Sequence, residues 1–324
     1  MAVYTEVSFS QAQALLHSLA LGELQALEGS SGGIENTNYF VTAEQGGAVT
    51  HYVLTLFERL SFEQLPFYLN LMRHLAQRAL PVPHPVANAK GQILHKLQGK
   101  PAAVVNRLSG KSQLLPTPAH CAALGATLAQ LHLAARDFNE SQPHLRGLDW
   151  WNATVPVVLP FLDSAQSALI RSELAYQNHV AQSSSYAALP RGPIHADLFR
   201  DNALFVGEQL TGVFDFYFAG VDTWLFDLAV CLNDWAMDPQ TAVPDAARFT
   251  ALLQSYGRMR ALTDAERRLL PAMLRAAALR FWISRLWDFH LPRDASLLKA
   301  HDPSQFERVL RERVAHPVTL ACSE

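Results

Sequence analysis

The chain has 324 residues, of which 49% are hydrophobic and 17% charged, with a net charge of −3. That length supplies one large domain or two lobes with a sizeable core. The near-neutral balance leaves no basic stripe for nucleic acid, and no segment reaches the ~18 apolar residues of a membrane span.

Three widely spaced cysteines, Cys121, Cys231 and Cys322, form no CxxC and read as reduced thiols. The start "MAVYTEVSFS" has neither basic residues nor an apolar run, so no secretory signal is expected and a cytoplasmic location is.

Ser10 followed by Gln13 resembles a capping box that opens a helix through about Leu19. Three strand-like stretches follow, "GELQALEG", "NYFVTA" and "HYVLTLF", joined through "SSGGIENT" and "EQGG". "GSSGG" (29–33) formally fits a hydrolase nucleophile elbow, but a strand follows where that motif needs a helix. A turn whose backbone N–H groups cover phosphates is the better reading. From Phe62, apolar residues recur at 65, 69, 72, 76 and 79, a helical stripe. "PVPHPV" is extended, and "QILHKL" with "PAAVVNRL" reads as a hairpin around Gln98-Gly99. Residues 1–108 are therefore expected to form a small antiparallel sheet lobe with one main helix.

Beyond "LSGKS" the pattern turns helical, giving a larger second lobe over 109–324 and an α+β chain. Thr117 with Pro118 opens a helix whose stripe is 121, 124, 128, 131 and 135. "NALFV-GE-QLTGVFDF" is a hairpin. Thr263 with Glu266 is a second capping box, and Pro271 is expected to kink or break the long helix that it starts.

The stretch "IHADLFRDNALF" (194–205) packs a histidine, two aspartates, an arginine and an asparagine between apolar flanks. His195, Asp197 and Asn202 reproduce the HxDxxxxN spacing of kinase catalytic loops. A hydroxyl attacking phosphorus needs a carboxylate to orient it and accept its proton. A triphosphate needs a divalent cation held by oxygen ligands. Asp215 in "GVFDFYFAG" is placed for the second ligand. With a two-residue turn at Gly207-Glu208, residue 202 faces 213, and Asp215 lies two residues further on, roughly 7 Å along the strand. Three fixed letters arise easily by chance; the added aspartate and the β-rich stretch upstream favour chemistry over a mere turn.

"GIENTNYFV", "YVLTLFE", "IHADLFRDN", "DFYFA", "FDLAVCLNDW" and "ALRFWISRL" span most of the chain. In that order they resemble kinase-fold small-molecule phosphotransferases of the aminoglycoside phosphotransferase and choline kinase type, the homoserine kinases above all. The resemblance implies a bilobal protein-kinase-like fold, ATP and Mg²⁺, and phosphoryl transfer to the side-chain hydroxyl of L-homoserine on the way to threonine. It implies Asp197 as base, Asn202 and Asp215 as metal ligands, and His195 and Asp227 as supports of the loop. Nucleotide contacts are expected from Ser31, Gly32, Gly33, Asn36, Thr55, Asn106 and Leu108. Substrate contacts are expected from Arg200, Asp201, Tyr217, Trp282 and Arg285. Arg280, Trp282 and Arg285 sit on one helix; Arg285 shares a face with Trp282 at i,i+3 and suits a carboxylate, unless it pairs with Asp288 or another buried acid. Thr55 stands where kinases carry a strand lysine, which leaves Arg59 and the metal to supply phosphate-binding charge. A related kinase for choline, an aminoglycoside or a sugar, and a silent nucleotide-binding protein, are the competing readings.

Overall fold

The computed structural model describes residues 5–30, 36–291 and 301–320. Internal contacts divide the chain into two compact units, Met1–Ser109 and Gly110–Glu324.

In the first unit, α1 (Phe9–Ser18) is followed by β1 (Glu23–Gly29), β2 (Asn36–Gln45), β3 (Ala48–Phe57), α2 (Pro66–Ala76), β4 (His95–Leu97) and β5 (Lys100–Asn106). The expected capping box lies two residues early. Ser8 caps α1, with its hydroxyl on the Gln11 N–H and the Gln11 amide returning to the Ser8 N–H. Gln13 instead staples the next turn, accepting from the Leu24 N–H at 2.6 Å and donating to the Gly22 carbonyl. Among the described residues, five strands form an antiparallel sheet in the order β1-β2-β3-β5-β4.

Alternation in β2 buries Thr37, Tyr39, Val41 and Ala43. With Leu54 and Leu56 of β3, Tyr39, Val41 and Ala43 join Ala12, Leu15 and Leu16 of α1 in one core. Each such leucine contributes about 1.5–3 kcal/mol on burial. The β4–β5 turn places both Gln98 and Gly99 at positive φ (51° and 78°), the two-residue geometry that matches strand twist.

The second unit runs α3 (Pro118–Ala134), α4 (Leu148–Val158), α5 (Ser164–Ala181), α6 (Ser184–Ala187), β6 (Arg191–Ile194), β7 (Ala203–Val206) and β8 (Gln209–Val213). It continues with β9 (Gly220–Thr223), α7 (Trp224–Trp235), α8 (Ala246–Met259), α9 (Asp264–His290) and α10 (Ser304–Ala315). α3 and α8 approach so closely at Gly125 that a Cβ there would sit 2.2 Å from the Leu252 carbonyl oxygen. The Thr263–Glu266 box caps α9 as expected. Pro271 does not end the helix, which runs unbroken over 27 residues. Its missing N–H forfeits one ladder bond that the buried apolar face of α9 offsets. No described helix is long and apolar enough to cross a membrane.

Candidate active site

The polar loop leaves the end of β6, where Ile194 pairs with Gly220 of β9, and enters β7 at Ala203. Its first residues are pinned by one carboxylate. Asp227, fully buried in the first turn of α7, accepts the His195 N–H and the Ala196 N–H, both at 2.8 Å. Ala196 sits at φ 65°, a left-handed conformation that L-residues hold only when neighbours over-determine it. A carboxylate at a helix N-terminus also gains from the helix dipole.

A third donor reaches Asp227 from α3, the His132 Nε2 at 3.1 Å. Burial alone raises a carboxyl pKa; here the hydrogen bonds from His132 and from the His195 backbone N–H outweigh it and hold Asp227 below the usual carboxylate range. His132 is itself kept neutral by burial. Its Nδ1 faces the Tyr256 hydroxyl at 2.9 Å, which accepts from Arg260 at 3.1 Å, and Arg260 pairs with buried Glu266 at 2.7 Å. With Asp227 ionised and Arg260 donating, every proton in this chain has one consistent position.

His195 ties the loop to the following hairpin. Its Nδ1 accepts from the Asp197 N–H (3.3 Å), so Nε2 carries the proton that is donated to the Phe214 carbonyl at 2.9 Å. Burial depresses the pKa of this imidazole too. Asn202 closes the loop: Nδ2 donates to the Asp197 carbonyl at 2.8 Å and to Asp197 Oδ2 at 3.3 Å, which turns Oδ1 away from Asp197. Asn202 also receives the Phe214 N–H on its own carbonyl (3.1 Å).

The hairpin register differs from the expected one. Val206 faces Gln209 across the Gly207-Glu208 turn, but a bulge at Thr211 makes Ala203, not Asn202, the partner of Val213. The extra residue brings Asp215 one position nearer to Asn202. Asp215 itself lies at φ 66°, ψ 58°, exposed at the mouth of the turn. Gly110 is needed beside this hairpin: at φ 111° its Cβ would fall 2.7 Å from the Phe205 carbonyl oxygen.

Much of the underside of the loop rests on α7, with Phe199 packed on Phe281 of α9 and Phe306 of α10. Cys231 and Trp235 donate to the Leu198 carbonyl, and Asp234 accepts the Arg200 N–H and Nε. Positions 227, 231, 234 and 235 form one helical stripe, readable in "DLAVCLNDW" once the loop is placed above it. Both described cysteines are free and buried, and burial pushes Cys121 up to about 12, which makes it a poor nucleophile.

Of the expected substrate residues, two are corrected outright. Arg200 is a buried clamp: Nε is on Asp234 and the Nη groups are on the carbonyls of Leu114, Asp234 and Met237. No donor set of this kind is left to grip a ligand. Arg285 of α9 is engaged at the start of α10 and not with Asp288. It holds Gln305 at 2.7 Å and the Asp302 carbonyl, over the Phe306 ring. Trp282 is fully buried and reads as core. Asp201 is exposed, its carbonyl taking the Ser112 hydroxyl, and Tyr217 is half-buried just after Asp215. Next to Asp197 stands a different arginine, Arg280, with Nη1 3.8 Å from Asp197 Oδ1.

In the first unit, Ser31, Gly32 and Gly33 lie outside the described residues. Asn36 opens β2 opposite Phe57, and Leu108 follows β5 half-buried. Asn106 has its Oδ1 committed to the His84 N–H at 2.6 Å. Thr55 needs correction as a phosphate donor: its hydroxyl proton goes to Asn38 Oδ1 across the strand pair, at 2.7 Å. Lys100 is held by Glu58 and the Thr5 hydroxyl, and Arg59 is exposed.

A catalytic-type loop clamped on a buried helix carboxylate, above an aspartate-bearing hairpin, defines a phosphotransferase of the kinase fold. Residues 26–262 match the model of the phosphotransferase enzyme family, and the chain belongs to that family. It is 64% identical to the homoserine kinase of Polaromonas naphthalenivorans (strain CJ2), over 99% of this chain and 100% of that protein. It is 54% identical to the homoserine kinase of Ralstonia nicotianae (strain ATCC BAA-1114 / GMI1000), over 100% of this chain and 99% of that one. Among solved structures, an amicoumacin kinase in complex with AMP-PNP, Ca²⁺ and Ami superposes with a TM-score of 0.69 at 19% identity, covering 95% of this chain and 94% of that one. A spectinomycin phosphotransferase with ADP and spectinomycin gives 0.66 at 13% identity, covering 95% of both. The fold is protein-kinase-like, as the resemblance implied.

Proposed function

We propose that this protein is a homoserine kinase, which transfers the γ-phosphoryl group of ATP to the side-chain hydroxyl of L-homoserine, a step toward threonine, in the cytoplasm. The observation that carries the reading is the 64% identity to a homoserine kinase from end to end of both chains. The loop geometry supports the chemistry.

In this reading Asp197 orients the acceptor hydroxyl and takes its proton. Its backbone is immobilised by Asn202 and His195, and Asp227 holds the strained turn before it. A base held in place contributes ~10²–10⁴ in rate. Neutral His195 adds no charge beside the carboxylate and serves as a rigid strut to the hairpin.

Asn202 and Asp215 would hold Mg²⁺. The donor set fits that ion: an amide oxygen and a carboxylate, both hard. No cluster of three or more His, Cys, Asp or Glu able to hold a metal occurs among the described residues. Mg²⁺ is ordinarily bound by one or two protein ligands plus phosphate oxygens and water, not by a protein cage. When bound, the ion neutralises charge that develops on the transferring group. Asn36, Asn38, Asn106 and Leu108 are the described candidates for nucleotide contact.

The test is ATP consumption by the purified protein against homoserine, choline, ethanolamine and kanamycin. Turnover with homoserine alone is expected. Preference for another acceptor would replace the substrate while leaving the reaction class, and no turnover with any would favour a silent nucleotide-binding protein.

A further inference from the structure

Arg280 faces the Asp197 carboxylate, and nothing in the expected site accounts for it. It lies in α9, only 3% exposed. The Phe281 ring lies 3.8 Å from its guanidinium carbon and the Phe218 ring 5.2 Å, so aromatic surfaces constrain the plane of the fork. Its N–H groups therefore radiate within a set plane. Nη1 is 3.8 Å from Asp197 Oδ1, too long for a hydrogen bond. Nε is buried and has no hydrogen-bond partner among the described residues.

A buried guanidinium is costly unless its donors are used, and each orphaned buried donor calls for an explanation. Burial pulls this arginine down to about 10 despite Asp197, and Arg146 and Arg285 add further positive charge, with Asp288 opposing. Because Nη1 lies 3.8 Å from Asp197, an acceptor whose hydroxyl reached that carboxylate would come within range of Arg280. If the acceptor is an amino acid, it also carries a carboxylate.

We propose that Arg280 binds the α-carboxylate of the acceptor and sets the specificity of the site for an amino-acid alcohol. This rests on the homoserine reading above and assigns to Arg280 the task the sequence pattern had pointed toward Arg285. The planar fork matches a carboxylate with two parallel bonds; a lysine ammonium cannot.

The experiment compares two acceptors in the same protein preparation: L-homoserine and 3-aminopropan-1-ol, which is homoserine without its carboxylate. The ratio of their kcat/KM values cancels any loss of folded enzyme. Wild type should favour homoserine strongly. In Arg280→Met and Arg280→Lys the ratio should fall by about 10²-fold or more, with kcat/KM for 3-aminopropan-1-ol little changed. The melting temperatures of both variants are measured alongside, to show that each is folded. An equal loss for both acceptors, or failure of both variants to fold, would make Arg280 a structural ion and overturn the inference. Wild-type protein inactive on homoserine would instead sink the functional reading, and this inference with it, before any variant is made.

Discussion

At the residue scale, the two expected metal ligands differ in what else they do. Asp215 contributes a carboxylate from a left-handed turn position, whereas Asn202 both offers Oδ1 and holds the Asp197 carbonyl through Nδ2. Asp215→Ala should abolish nearly all turnover and weaken Mg²⁺-dependent nucleotide binding. Asn202→Ala loses a weaker, neutral ligand but also loosens Asp197, so kcat should fall even at saturating Mg²⁺. Titrating Mg²⁺ in kinetic assays of both variants checks this, and full rescue of Asn202→Ala by metal would remove the second role. Thr55 is a milder case. Its hydrogen bond to Asn38 is an ordinary one, worth about 0.5–1.5 kcal/mol, so Thr55→Val should cost at most about tenfold in kcat/KM. A loss as large as that of Asp215→Ala would make the threonine a principal contact. Asp197 and Asn202 were legible in the sequence because they stand at a fixed offset of five positions in one short loop. Arg280 was not, since only the fold brings residue 280 beside residue 197.

At the element scale, three helices lock the loop through a single buried line: α7 supplies Asp227, α3 supplies His132, and α8 supplies Tyr256. That line has a pH consequence. His132 and His195 both titrate below the ordinary 6.5 in the folded chain, because burial disfavours the imidazolium. The unfolded chain therefore binds protons that the native one does not, and stability falls as the pH drops below about 6.5. The slope approaches about 1.4 kcal/mol per pH unit for each such group. Asp227, also depressed, is lost only at much lower pH. Urea midpoints at pH 7.5 and 5.5 should differ less in His132→Gln, whose amide can donate to Asp227 without titrating. An unchanged difference would mean that His132 is not kept neutral. Sequence periodicity placed His132 near the end of α3 but could not pair it with a residue 95 positions on. The Thr211 bulge was equally hidden, since turn length sets hairpin register only as far as the first irregularity. The capping boxes show both outcomes: Thr263 and Glu266 cap α9 as expected, while the box expected at Ser10–Gln13 forms at Ser8–Gln11, a serine with the same glutamine spacing.

At the scale of the whole molecule, alternation and helical stripes were enough to separate a five-stranded antiparallel unit from a helical one. The candidate catalytic loop of the second unit is short, so its local spacing is informative where long-range contacts are not. The central claim is that Asp197 is the base of phosphoryl transfer to homoserine. The measurement that tests it most directly is the rate of phosphohomoserine formation by Asp197→Asn, followed by phosphorus NMR, alongside the affinity of the same variant for ATP. The expected result is a loss of ~10²–10⁴ in turnover with ATP affinity and melting temperature close to wild type. Near-normal turnover in the folded variant would contradict the account and remove Asp197 from the mechanism.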